Sequence, residues 1–233
     1  MYTLRKANER GHVNMGWLDS HHSFSFGSYY NPKFMGFRTL RVINDDRVQP
    51  SKGFGTHPHD NMEIISYVVK GTLAHKDSMG NGSDIKEGDV QLMSAGTGVT
   101  HSEYNASNTS EVRFLQIWLP PANRGLKPSY QQKNFAHQDR KNALTLLVSP
   151  TGEHDSLTIH QDARLYGGLL DAEQKLTYHP AQDRYTWIQV VNGDLNINDE
   201  ISLTTGDGLA IYEEDELHIL AKSNAEFLVF DLA

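Results

Sequence analysis

The chain contains no cysteine, which excludes disulfides, thiolate metal ligands, iron–sulfur clusters and cysteine nucleophiles. It has no apolar run approaching the roughly 20 residues of a membrane-spanning helix. Its first residues, MYTLRKANERGH, lack the apolar core of a secretory signal. The expectation is a cytoplasmic chain without a membrane partner. Basic runs are missing too: 21 Lys and Arg stand against 29 Asp and Glu, for a net charge of −8. That balance argues against direct nucleic-acid binding and leaves room for a protein partner. No segment keeps a helical period for more than about two or three turns. What the chain does have is 233 residues at 38% hydrophobic content, 19 glycines and 12 histidines. This is enough for one large β domain or two of about 115 residues.

Short runs rich in β-branched and aromatic residues punctuate the sequence. They are Phe37 to Asn44, Glu63 to Val69, Val112 to Leu119 and Trp187 to Val191. Lys70-Gly71 and Asn192-Gly193 read as hairpin turns. Regular short strands separated by Gly, Asn and Asp predict an all-β sandwich or barrel. Pro120 to Pro128 (PPANRGLKP) breaks strand pairing twice and reads as a linker. Placing Gly71 on Gly193 aligns ISYVVKGTL with WIQVVNGDL without a gap, and further on EGDVQLM resembles TGDGLAI. The same order in both halves indicates a tandem repeat.

The histidines carry the chemistry. His57 and His59 are two residues apart, as are His101 and Glu103. Residues i and i+2 of a strand face the same way, so each pair can aim two donors at one point. Two such strands on facing walls bring together three imidazoles and one carboxylate, a set that a β core tolerates only with a partner. The set suits one divalent transition metal per chain: Fe, Mn, Co, Ni, Cu or Zn, with open positions for water, substrate or dioxygen. In the second repeat His57 falls on His179, but His59 falls on Ala181. His218 lies near the position of His101, and Leu220 or Ala221 near that of Glu103. At most two donors survive there, so the second half is expected to lack a complete site. His12, His75, His137 and His154 read as solvated surface, His21 and His22 as structural residues, and Glu213 to Glu216 as a solvated turn. Phe24, Phe26, Phe54 and Met93 are candidates for apolar walls.

The pairs HPH and HSEYN resemble the two metal-binding motifs of cupins, with departures. No proline stands at Ser94, and two extra residues precede His101. Where many cupins use a Glu shortly after HxH, here Glu63, this chain offers Glu103. Those departures, with HHSFSFGSYYNPKFMGFRTLRVINDD, GFGTHPHDNMEI, DSMGN and MSAGTGVTHSEYN, resemble the pirin family of bicupins, densely from about Asn8 to Trp118. The resemblance implies two tandem cupin (jelly-roll) barrels. An N-terminal metal-binding barrel at 1–128 would precede a C-terminal barrel at 129–233 without a complete metal site. It implies metal ligands at His57, His59, His101 and Glu103, with iron favoured.

Bacterial proteins near this pattern resemble quercetinases, which open the central ring of a flavonol with dioxygen and release carbon monoxide. The expected partners are thus a small flavonol-like molecule and dioxygen, with Glu103 the candidate catalytic base and Glu63 an outside one. The alternative in another class is a metal-dependent, redox-sensing regulatory protein of the pirin type.

Overall fold

The computed structural model describes residues 1–233, whose 22 strands form two seven-stranded and two four-stranded sheets. In the first half the large sheet runs in the order Ser129–Asn134, Asp89–Ser94, Glu63–Lys70, Val112–Leu119, Val42–Val48, Leu18–His22, Gly11–Asn14. The small sheet runs Gly53–His59, Val99–Asn105, Thr72–Asp77, Gly82–Lys86. The second half repeats the plan, with Tyr185–Asn192 and Ala225–Leu232 central in the large sheet and Leu217–Ala221 and Asp194–Ile197 central in the small one. Within each half the two sheets close on one core: Leu18, Val68, Leu73, Ile85 and Phe114 in the first, and fifteen buried residues around Ile188, Leu195 and Ile219 in the second. The chain is therefore an all-β tandem of two cupin barrels. Each half also lends a strand to the other, since Tyr2–Arg5 pairs with Gly208–Ile211 and Ser129–Asn134 with Asp89–Ser94. The sheets thus cross the division proposed at 128/129 in both directions.

Two local expectations change. Lys70-Gly71 and Asn192-Gly193 are not hairpins. Glu63–Lys70 lies in the large sheet and Thr72–Asp77 in the small one, so the chain turns a corner between sheets, as it does again after Asn192. Gly71 and Gly193 sit at φ of 83° and 82°, the left-handed region that makes so abrupt a corner accessible to glycine. The predicted strand at Phe37 to Asn44 starts later, at Val42. Phe37 and Leu40 instead pair with each other across a tight turn and bury their side chains between the barrels.

The outer faces of the two large sheets form the main core, 25 buried residues that include Ile65, Tyr67, Leu115, Trp187, Leu228 and Phe230. Each such side chain contributes about 1.5–3 kcal/mol on burial, so this interface joins the halves firmly. Arg113 fixes their relative placement. Its guanidinium donates to both Asp45 oxygens (2.8 and 3.0 Å) in its own barrel, and to Asn192 Oδ1 (2.7 Å) and the Val191 carbonyl (2.9 Å) in the other.

The barrel interiors differ in chemistry. Directly paired residues across the first large sheet read Asn44, Gln116, Ser66, Gln91. The matching row across the second reads Tyr166, Val229, Ile188, Leu209. One barrel keeps a polar lining while the other is filled with hydrocarbon, and only the first can hold a charged ligand set at tolerable cost.

Candidate metal centre

His57 and His59 stand on the edge strand Gly53–His59, and His101 and Glu103 on its neighbour Val99–Asn105. The register sets His57 directly opposite His101, with an irregularity between His101 and Glu103 that shifts Glu103 to Phe54. The strands approach closely enough to demand glycine at Gly53, where a Cβ would lie 2.2 Å from the Glu103 carbonyl oxygen. Three imidazoles meet as a result, with ring centroids 4.5 Å apart for His57–His101 and 4.8 Å for the other two pairs. One nitrogen from each lies within 4.8 Å of the others. His57 Nδ1 donates to the Gly55 carbonyl (2.7 Å), which leaves Nε2 as the lone-pair nitrogen.

Glu103 sits on the far side of His101. It is buried and accepts from Gln116 Nε2 (2.9 and 3.1 Å) and Ser66 Oγ (3.2 Å). Its carboxylate groups with His101 and His75, so the four predicted donors form two adjoining clusters that share His101. His75 corrects the sequence reading. It is 3% exposed rather than solvated, lies directly opposite Glu103 in the register, and contacts Asp77 through Nε2 at 3.2 Å. A signal was present in TLAHKD, where Leu73, His75 and Asp77 alternate inward with Thr72, Ala74 and Lys76 outward. Ser66, Gln116 and Trp118 were also missed; the Trp118 ring stands edge-on to His59 at 5.0 Å.

Other expected residues fall elsewhere. Glu63 points out of the barrel, accepting from Ser94 Oγ (2.8 Å) and the His160 amide (3.2 Å), on the face opposite Ser66. Phe24 packs on Trp187 between the barrels; Met93 lies in an apolar cluster with Ile64 and Val99 against which Trp118 packs, and Phe26 and Phe54 line a cavity with Trp17 and His22. In the second barrel, His179 lies on the surface, and His218 alternates outward between buried Leu217 and Ile219 to reach Glu216 at 2.9 Å. No donor from that pair enters the second core.

The first cluster fits a divalent transition ion. His101 is 1% exposed, and neither of its ring nitrogens has a hydrogen-bond partner in the protein, which is costly unless something else takes the lone pair. Burial, with the neighbouring His57, lowers His59 to about 4; burial, with His57, His59 and His75, lowers His101 to about 3. Both rings are neutral at pH 7, the form that ligates. Burial raises Glu103 despite its bonds to Gln116 and Ser66.

An unfolded chain binds protons on His101 below 6.5, whereas the folded chain resists until about 3. This residue's contribution to stability is therefore intact above pH 6.5 and is lost as pH falls through that window. In chelator-treated protein, His101→Asn should gain melting temperature relative to wild type as pH drops from 6.5 to 4. A difference that stays flat across thermal melts would contradict the neutral, desolvated state of His101.

Two cupin barrels in tandem, with a histidine–carboxylate cluster inside the first, define a bicupin. The chain belongs to the pirin family: the pattern described as Pirin matches residues 3–119, and the Quercetinase C-terminal cupin domain matches 146–232. It is 50% identical over 232 residues to the quercetin 2,3-dioxygenase of Escherichia coli strain K12, covering 100% of this chain and 99% of that one. The crystal structure of YhhW from Escherichia coli superposes with a TM-score of 0.96 at 49% identity, covering 100% of this chain and 98% of that one. The structure of bacterial pirin YhhW in complex with nickel(II) superposes with a TM-score of 0.95 at 49% identity, covering 100% and 99%.

Proposed function

We propose that this chain is a metal-dependent dioxygenase that opens the central ring of flavonols such as quercetin. Both atoms of dioxygen enter the product, and one ring carbon leaves as carbon monoxide. The observation that carries the reading is the convergence of His57, His59 and His101 beside a buried Glu103, in a chain half identical over its length to a quercetin 2,3-dioxygenase. His57, His59, His101 and Glu103 are the proposed ligands of one ion in the first barrel. When bound, that ion would supply Lewis acidity toward the 3-hydroxyl and 4-carbonyl oxygens of a flavonol and a route for electrons to dioxygen. The donor set accepts several metals; one-electron chemistry with dioxygen favours iron over zinc.

The protein's own groups do the rest. Gln116 and Ser66 hold the Glu103 carboxylate, and its burial increases its affinity for a proton. Glu103 is thus placed to take the proton of the 3-hydroxyl as the flavonolate forms. His59 and His101, kept neutral by burial, add no charge of their own, and the transferred proton neutralises Glu103 as negative charge builds on the substrate oxygens. Trp118, edge-on to His59, walls the site with an apolar surface. The regulatory alternative is not favoured, because relatives matching the full length carry the enzyme's name.

The test is loss of flavonol absorbance coupled to oxygen uptake and carbon monoxide release by protein reconstituted with iron, manganese, cobalt, nickel or copper. Turnover with at least one of these metals is expected. Absence of turnover with all five contradicts the proposal.

A further inference from the structure

A second trio of donors lies on the outer face of the first barrel. His12 Nε2 is 2.7 Å from Asp19 Oδ1, and His21 Nδ1 is 3.8 Å from the same oxygen. One ligand atom from each residue lies within 4.8 Å of the other two. The register repeats that of the interior cluster. Inside, His57 and His59 are two apart, with His101 directly opposite His57; outside, Asp19 and His21 are two apart, with His12 directly opposite His21. The His12 and His21 rings stack with centroids 4.4 Å apart and planes 15° apart, so the more exposed His12 ring turns out of the stack for both lone pairs to meet at one ion. His21 Nδ1 has no hydrogen-bond partner in the protein. Arg10 lies close enough for its charge to act on the His21 ring. Arg10 also opposes a cation here, and its charge is partly offset by Asp45 at 3.6 Å.

We propose that His12, Asp19 and His21 bind a second divalent transition ion, of the nickel, zinc or copper class, and that this ion clamps the edge hairpin of the first barrel. Two imidazoles and one carboxylate suit such ions and leave positions for water. The mechanical consequence follows from strand alternation. Gly11–Asn14 is the sheet's edge strand and pairs on one side alone, with Leu18–His22. The inward side chains of this hairpin, Val13, Leu18, Ser20 and His22, line a cavity of about 240 Å³ that Phe26 and Phe54 also wall. The Phe26 ring stands edge-on to Trp118 at 5.2 Å, and Trp118 in turn to His59. An ion bridging the two strands from outside therefore fixes one wall of this cavity, which reaches the interior cluster through the Phe26 and Trp118 rings. The site is open to solvent and has three ligands, so it exchanges more readily than the interior one. It stands independently of the flavonol reading.

The test is a calorimetric titration of chelator-treated full-length protein with nickel(II) up to four equivalents, with hydrogen exchange followed over residues 11–22. Wild type is expected to show two binding events, the weaker of which slows exchange in the hairpin. His101→Ala should keep the weaker event and lose the stronger. His21→Gln and Asp19→Asn should do the reverse and keep the turnover of protein carrying one equivalent. A single event in wild type overturns the proposal, as does a weaker event that survives both hairpin substitutions.

Discussion

His101→Ala is expected to leave a folded protein that no longer retains an ion in its barrel. After passage through a weak chelator, which strips exposed three-ligand sites, metal content should fall from about one ion per chain to less than about a tenth of one. The reason is geometric: His101 belongs to both donor clusters and is the most buried of the imidazoles, so its removal dismantles each at once. A ligand present at a thousandfold its dissociation constant stabilises the folded state by about 4 kcal/mol. For a chain of this length that corresponds to a rise in melting temperature of roughly 8–16 °C. Wild type should show a rise of that order on adding metal, and the variant should show only the much smaller rise that the weaker hairpin site gives at the same concentration. The variant's metal-free fold should be little affected, because the ring it loses has two unpartnered nitrogens. Differential scanning fluorimetry with and without metal separates the two effects. Equal metal-induced shifts in both proteins would remove His101 from the site.

Glu103→Gln separates holding the ion from moving the proton. The three imidazoles remain, so at least half of the wild-type metal content should be retained. The amide cannot accept the proton of the 3-hydroxyl, and turnover should fall by about 10²–10⁴-fold, the usual range for loss of a positioned base. The loss should appear in kcat more than in KM, because the interaction is made as the proton moves. Glu103→Asp, which keeps the carboxylate on a shorter arm, should recover part of it. Turnover within tenfold of wild type in metal-loaded Glu103→Gln would assign the base elsewhere.

The interior cluster was legible in the sequence because strand geometry has a period of two. HPH and HSE each fix two donors on one face, and nothing but the pairing of the strands was left to the fold. The barrel architecture was legible for the same reason, and the repeat at Gly71 and Gly193 marked its duplication. His75 was not legible as a single polar residue in TLAHKD, because its burial is set by the strand opposite, where Glu103 stands. Ser66 and Gln116 were hidden in strands buried on both faces. Ile65 and Tyr67 of EIISYVVK pack between the barrels while Ser66 turns into the first, so no alternation of polarity betrays the interior side. The Lys70-Gly71 corner was misread because a positive φ serves a hairpin and a change of sheet equally well. The second barrel differs in the lining of its interior. Where the first has Ser66, Gln116 and Gln91, the paired row carries Ile188, Val229 and Leu209, and His218 has turned outward.

X-ray absorption at the metal edge of protein loaded with a single equivalent of iron(II) or nickel(II) tests the central assignment most directly. Three imidazole nitrogens with at least one carboxylate oxygen in the first coordination sphere, reduced to two imidazoles by His59→Ala, is the predicted result. A sphere with fewer than three imidazoles in the unsubstituted protein, or one unchanged by His59→Ala, would contradict it.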